Sequence, residues 1–100
     1  MMDDLTAAMN TDGERFAAFF TEDGVFEEVN LGQVTVGRED IARVVNGYLD
    51  MGFWTERIGP VIQSGTYVAT AAEGASSDSV IVIYELTPDG QVHHMWGIAD

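Results

Sequence analysis

An α+β fold, with helices first and a mainly antiparallel sheet after them, follows from three features of this sequence. Ile41, Val44, Val45, Tyr48 and Leu49 fall at i, i+3, i+4, i+7 and i+8, the apolar stripe of an amphipathic helix. Phe16, Phe19 and Phe20 make a shorter stripe at i, i+3 and i+4. Beyond Trp54 the apolar residues stop following a helical period. They form runs separated by Ser64-Gly65 and Pro88-Asp89-Gly90, which are turn signals, so this part reads as strands joined by hairpins.

Each element has a local cause. Asp3 or Asp4 can cap a short first helix running through Met9, because a side-chain oxygen there accepts orphan backbone N–H groups. Thr11-Asp12-Gly13-Glu14 fits a capping box for a second helix, which carries the three phenylalanines and stops at Asp23-Gly24. Residues 24–30 alternate as a strand. Phe26, Glu28 and Asn30 point to one face, and Val25, Glu27 and Val29 to the other. The third helix carries the long stripe and ends at Gly52. Strands are expected over residues 54–63 and 66–72, followed by a loop over residues 73–78. Two more strands, over residues 80–86 and 91–99, flank the Pro88-Asp89-Gly90 turn. There Pro sets φ and Gly accepts positive φ. No repeat, linker or low-complexity run interrupts the chain, so residues 1–100 are read as one domain.

Composition narrows the function classes. The chain has 100 residues, 46% of them hydrophobic and 10% aromatic, which argues for a globular fold with a modest core. Its net charge of −13, with only four basic residues, argues against nucleic acid or an anionic membrane as a partner. It has no cysteine, which rules out disulfides and thiolate chemistry. Met1-Met2-Asp3-Asp4 is acidic and precedes no long apolar run, so neither a secretory signal nor a membrane span is expected, and a cytoplasmic location is. No His/Asp/Glu spacing matches a metal site.

Several segments together resemble the nuclear transport factor 2-like superfamily. Glu22-Asp23-Gly24-Val25-Phe26-Glu27-Glu28 is similar to an acidic, apolar, acidic run of ketosteroid isomerases and SnoaL-like polyketide cyclases. Gly37-Arg38-Glu39 with Ile41 resembles their turn into the long helix. Gly59-Pro60-Val61 resembles a strand segment, Leu86 to Val92 the penultimate turn, and Trp96 lies where many relatives carry an aromatic. The resemblance implies a cone of curved, mainly antiparallel sheet wrapped around N-terminal helices (the cystatin-like roll), built around a pocket. It implies no cofactor. In the isomerases the carboxylate at the Glu28 position is the general base. Their oxyanion pair falls on Asp4 and Val82 in this chain. The relatives that hydrolyse epoxides place their helper residues at Phe26 and Glu28, and an aspartate at Gly97.

On this basis Glu28 is the candidate base. A carboxylate facing an apolar cavity loses hydration, which disfavours its charged form and suits it to accept a proton. His93 is expected to face the same cavity beside Met95 and Gly97, where it could relay a proton; His94 would point the opposite way, so the two rings cannot share a metal. Val80, Val82 and Tyr84 would share that face, with Tyr84 as the one phenol and a possible oxyanion donor. Phe26 and Asn30 would complete the substrate wall, and Met51, Phe53 and Trp54 would form an apolar rim.

The expected function is a small-molecule pocket acting on an apolar carbonyl compound, as an isomerase or cyclase. The alternatives are a ligand-binding or dimerisation module without catalysis, and an epoxide hydrolase-like enzyme. Ile81, Ile83, His94, Trp96 and Ile98 fall on the face opposite the cavity, which suggests a homodimer formed through the outer sheet face.

Overall fold

In a computed structural model the backbone is described for residues 2–74 and 77–99. Three helices precede most of the sheet: α1 (Met2–Met9), α2 (Gly13–Ala17) and α3 (Arg38–Asp50). The strands are β1 (Phe20–Glu28), β2 (Gln33–Val36), β3 (Thr55–Arg57), β4 (Ile62–Ser64), β5 (Tyr67–Gly74), β6 (Ser77–Leu86) and β7 (Val92–Ala99). They form one curved, unclosed sheet in the order β2-β1-β7-β6-β5-β3, with β4 also pairing β5. Only the β1–β7 pair is parallel among these ladders. The α+β class and the curved, mainly antiparallel sheet are therefore as the sequence implies.

The helices cover one face of the sheet. Leu5, Phe16, Ile41 and Val45 are fully or almost fully buried, packed with the inward residues Phe26, Val82, Tyr84 and Met95. Asn10, just beyond α1, fastens this layer to β3: its amide nitrogen donates to the Thr55 carbonyl at 2.6 Å, and its oxygen accepts from the Thr55 N–H at 2.8 Å. Among the described residues no helix is long and apolar enough to cross a membrane.

Several boundaries differ from the sequence reading. Asp3 and Asp4 lie inside α1, which starts at Met2. The cap of α2 is Asp12, whose carboxylate accepts the Glu14 N–H at 2.9 Å, while the Thr11 hydroxyl donates to Ala7. Helix α2 stops at Ala17, and Phe20 already begins β1. The helical spacing of Phe16 and Phe20 persists across this change because both rings enter the same core, 5.3 Å apart. Asp23-Gly24 does not end a helix; it sits in an irregular stretch of β1 where the register against β7 jumps between Phe20 and Val25. The strand ends at Glu28, and Val29–Leu31 forms a 3-10 turn. The short β2 pairs with β1 where only a turn was expected. The expected strand over residues 54–63 is two short strands, and Gly59-Pro60-Val61 forms the connection between them. The expected loop at 73–78 is narrower, since β5 reaches Gly74 and β6 starts at Ser77; Ala75 and Ser76 lie outside the described residues.

The irregular stretch of β1 is closed by the segment that starts α3. The Gly37 N–H donates to the Gly24 carbonyl at 2.8 Å, and Arg38 Nε donates to the Phe20 carbonyl at 2.8 Å. A Cβ on Gly24 would lie 2.9 Å from the Phe20 side chain. Gly37 has φ 92° and ψ 147°, a conformation essentially confined to glycine. Glu39 and Asp40 in the first turn of α3 complement the helix dipole. Gly37→Ala should therefore destabilise the fold by about 1–3 kcal/mol, through backbone strain rather than crowding. Urea unfolding should show a lower midpoint with an unchanged slope; an unaltered midpoint would mean that the junction relaxes freely.

Candidate active site

A cavity of about 890 Å³ opens between α3 and the concave face of the sheet. Strand β1 delivers Phe26 and Glu28 to it, because alternate residues of a strand share a face. Neighbouring β7 adds Met95 and Gly97, which pair with Phe26 and Glu28, while β6 adds Val80, Val82 and Tyr84. Helix α3 contributes Val45, Tyr48 and Leu49 from its apolar stripe, and Phe53 and Trp54 follow it at the rim.

The carboxylate of Glu28 is held asymmetrically. Its Oε2 accepts a hydrogen bond from the Tyr48 hydroxyl at 2.6 Å. Its Oε1 is buried and has no partner among the described residues. One oxygen is thus anchored from the helix, and the other is an unfilled acceptor in a desolvated site, a costly state unless a ligand uses it. Phe53 stacks on the Tyr48 ring at 5.3 Å, which restrains the phenol. Burial, followed by the hydrogen bond to Glu28, pushes the Tyr48 phenol well above its usual range, so it remains a donor. Tyr84 is buried, and that burial pushes its phenol up as well.

The structure brings together Phe26, Glu28, Val80, Val82, Tyr84 and Met95, as expected. Asn30 lines the mouth, where its side-chain oxygen accepts the Ala99 N–H at 2.8 Å and pins the end of β7. Phe53 and Trp54 belong to the rim, while Met51 is 63% exposed outside it.

His93 is a correction. It does not enter the cavity; it is exposed, with Nδ1 3.2 Å from Glu85 Oε1. The cause is a bulge: Glu85 pairs with His94 and Leu86 with Val92, leaving His93 as an extra residue. The alternation slips by one, and Val92 takes the buried position instead. His94 also lies on the outer face, 3.0 Å from Glu27 and stacked on Trp96 at 3.8 Å.

Tyr48 is the functional candidate that the sequence reading passed over, and with it Tyr84 ceases to be the only phenol in the cavity. Its placement on the inward stripe of the third helix was the available signal. Arg57 also lines the cavity, donating from Nη1 to the Gly59 carbonyl at 2.7 Å. Glu28 and Arg57 are the only charged side chains among the described lining residues. No group of three His, Asp or Glu side chains among the described residues is placed to hold a metal ion.

The fold agrees with the comparisons to known proteins. Residues 3–99 match the SnoaL-like domain family. The chain belongs to that family. A SnoaL-like protein of unknown function from Burkholderia thailandensis superposes with a TM-score of 0.86 at 15% identity, over 99% of this chain and 91% of the other. A SnoaL-like family protein from Agrobacterium tumefaciens, provisionally named an isomerase, gives 0.82 at 17% identity, over 99% and 93%. SalBIII, an epoxide hydrolase/cyclase-like enzyme of pyran-ring formation in the polyether salinomycin, gives 0.84 at 20% identity, over 99% and 87%. At these identities the structures share the fold with this SnoaL-like chain. No curated protein matches its sequence.

The raised phenols predict an alkaline signature. A group whose folded value is raised contributes stability that is complete below its unfolded value, about 10 for tyrosine, and lost as pH rises beyond it. Tyr67 is also raised, first by its hydrogen bond to Glu85, but it is exposed. Ultraviolet titration should show Tyr67 ionising first, with Tyr48 and Tyr84 ionising only as the chain unfolds. Three phenols titrating together in the folded chain would contradict the site geometry.

Proposed function

We propose that this SnoaL-like chain is a cofactor-independent enzyme of the isomerase or cyclase type, acting on a small, largely apolar carbonyl compound, with Glu28 as general base. The observation that carries this reading is the buried Oε1 of Glu28, which has no partner among the described residues and whose companion oxygen is fixed by Tyr48 at 2.6 Å. Oε1 takes a proton from the carbon next to the substrate carbonyl, and the electron pair of that C–H bond moves to give an enolate. The enolate oxygen needs a hydrogen-bond donor. Tyr84 is the candidate: its ring is buried in the cavity wall, and its hydroxyl stays protonated. The proton then returns from Glu28 to a second carbon, or the enolate carbon attacks a second carbonyl carbon of the same molecule, whose C=O π pair moves to its oxygen and takes the proton back from Glu28.

The apolar lining formed by Phe26, Val80, Val82 and Met95 supports an apolar substrate, because it excludes water and offers few fixed polar contacts. Proton exchange in deuterated water tests this reading without knowledge of the natural substrate. A panel of cyclic enones and ketones should contain compounds whose acidic C–H exchanges faster with the protein than without it. Glu28→Gln should lower that rate by about 10²- to 10⁴-fold while the fold and ligand binding persist. Exchange that is unchanged in Glu28→Gln would remove Glu28 as the base.

We further propose a homodimer through the outer sheet face. All three helices contribute to the concave side, and on the opposite face Ile81 is 53% and Ile98 36% exposed, flanking Ile83 and Trp96. Apolar burial of roughly 25 cal/mol per Å² would drive pairing, and the net charge of −13 would oppose it. Sedimentation should show a dimer that tightens with salt, as like-charge repulsion is screened, and that is lost in Trp96→Asp. A wild-type chain that stays monomeric at high concentration and elevated salt would rule it out.

A further inference from the structure

We infer that the same cavity binds hydrophobic ammonium ions, with a ligand N–H donating to Glu28 Oε1 and the hydrocarbon part lying against the aromatic walls. Three independent features converge on this ligand class.

The first is the unfilled acceptor. Oε1 is buried and lacks a partner among the described residues. Tyr48 holds Oε2, so the carboxylate cannot turn to satisfy itself without giving up that bond. A ligand that brings a donor therefore removes a standing desolvation cost, and a cationic donor does so more strongly than a neutral one. The second is the wall. Phe26, Tyr48, Phe53, Trp54 and Tyr84 all line the cavity, and aromatic faces attract a cation as well as its hydrocarbon substituents. The third is the long-range field. A net charge of −13 draws cations towards the molecule and repels organic anions. Arg57, the one basic residue in the described lining, lies on β3 and directs Nη1 to the Gly59 carbonyl.

This goes beyond the general-base reading, because Glu28 acts as a counter-ion and transfers no proton from carbon. The two uses of Oε1 exclude each other, so an ammonium ligand competes with a carbonyl substrate.

The test is calorimetric and NMR titration of the folded wild-type chain with benzylammonium chloride, benzyl alcohol and sodium benzoate, at a fixed ionic strength of about 0.15 M. Benzylammonium should bind about tenfold more tightly than benzyl alcohol, and benzoate more weakly than either. Nuclear Overhauser contacts should connect the benzylammonium methylene to the Phe26 and Tyr48 rings. Glu28→Gln should erase the ammonium preference and leave benzyl alcohol binding within about twofold. Equal affinities for ammonium and alcohol in the wild type would overturn the inference, as would failure of all three probes to bind. A preference that survives Glu28→Gln would also overturn it, by placing the cation on surface carboxylates. If the variant does not fold, the wild-type affinities and ring contacts decide alone. The deuterium-exchange experiment reports separately on proton transfer, so either reading can fail without the other.

Discussion

The closure of the irregular β1 stretch by Gly37 and Arg38 is the constraint on which the site depends. A strand that jumps register between Phe20 and Val25 leaves backbone groups without ladder partners. The Gly37 N–H and the Arg38 guanidinium satisfy two of them, at Gly24 and Phe20. The same two residues begin α3. One junction thus sets both the face on which Phe26 and Glu28 emerge and the start of the helix that carries Tyr48. The 2.6 Å contact between Glu28 and Tyr48 spans these two elements, so its length reflects how accurately the junction sets strand against helix. Gly24 and Gly37 are needed for different reasons: close approach of the Phe20 side chain at the first, positive φ at the second.

Stability alone gives little reason to keep this arrangement. Glu28 Oε1 loses its hydration and gains no partner among the described residues, while Oε2 keeps one in Tyr48. An apolar residue of similar volume at Glu28 would avoid that loss. Elsewhere the chain handles its polar groups economically: buried Thr70, for example, donates to backbone carbonyls at residues 59 and 60. Among the described residues the unfilled acceptor is therefore a local departure from the rule that buried polar side chains find partners, and such departures concentrate where ligands or substrates complete the structure.

How much of this was legible in the sequence depended on whether a residue's neighbours along the chain decided its position. The stripe from Ile41 to Leu49, the Gly52 stop and the Pro88-Asp89-Gly90 turn are local, and each is found where its chemistry puts it. The inward set Phe26, Glu28, Val82, Tyr84 and Met95 was legible because strand alternation runs unbroken through those segments. His93 was misplaced because a single-residue bulge reverses alternation, and nothing in Gln91-Val92-His93-His94 marks one. The start of β1 was hidden for another reason: Phe16, Phe19 and Phe20 fit a helical period, but burial against the sheet outweighed propensity. In the sequence Tyr48 is one member of an apolar helix stripe, because its partner is a carboxylate twenty residues away, which no local pattern reports.

The bulge at His93 also limits the chemistry that the cavity can support. Both imidazoles stand on the outer face, each against a glutamate: His93 against Glu85 and His94 against Glu27. The cavity keeps one carboxylate, one guanidinium and two phenols held protonated among its described lining residues. Beside Glu28, the described lining residues include no other carboxylate and no imidazole to act as a separate acid. On the proposed reading, Glu28 as sole base would suit a proton that leaves the substrate and returns to it, since the carboxylate would be restored within each turnover. Internal proton return is the logic of an isomerisation or an enolate-driven ring closure. Opening an epoxide with water would instead require one group to deprotonate the water and another to protonate the leaving oxygen, and only a raised phenol is at hand for the second task. The position of one extra residue in β7 thus bears on the proposed chemistry, by deciding which face of the sheet receives the histidines.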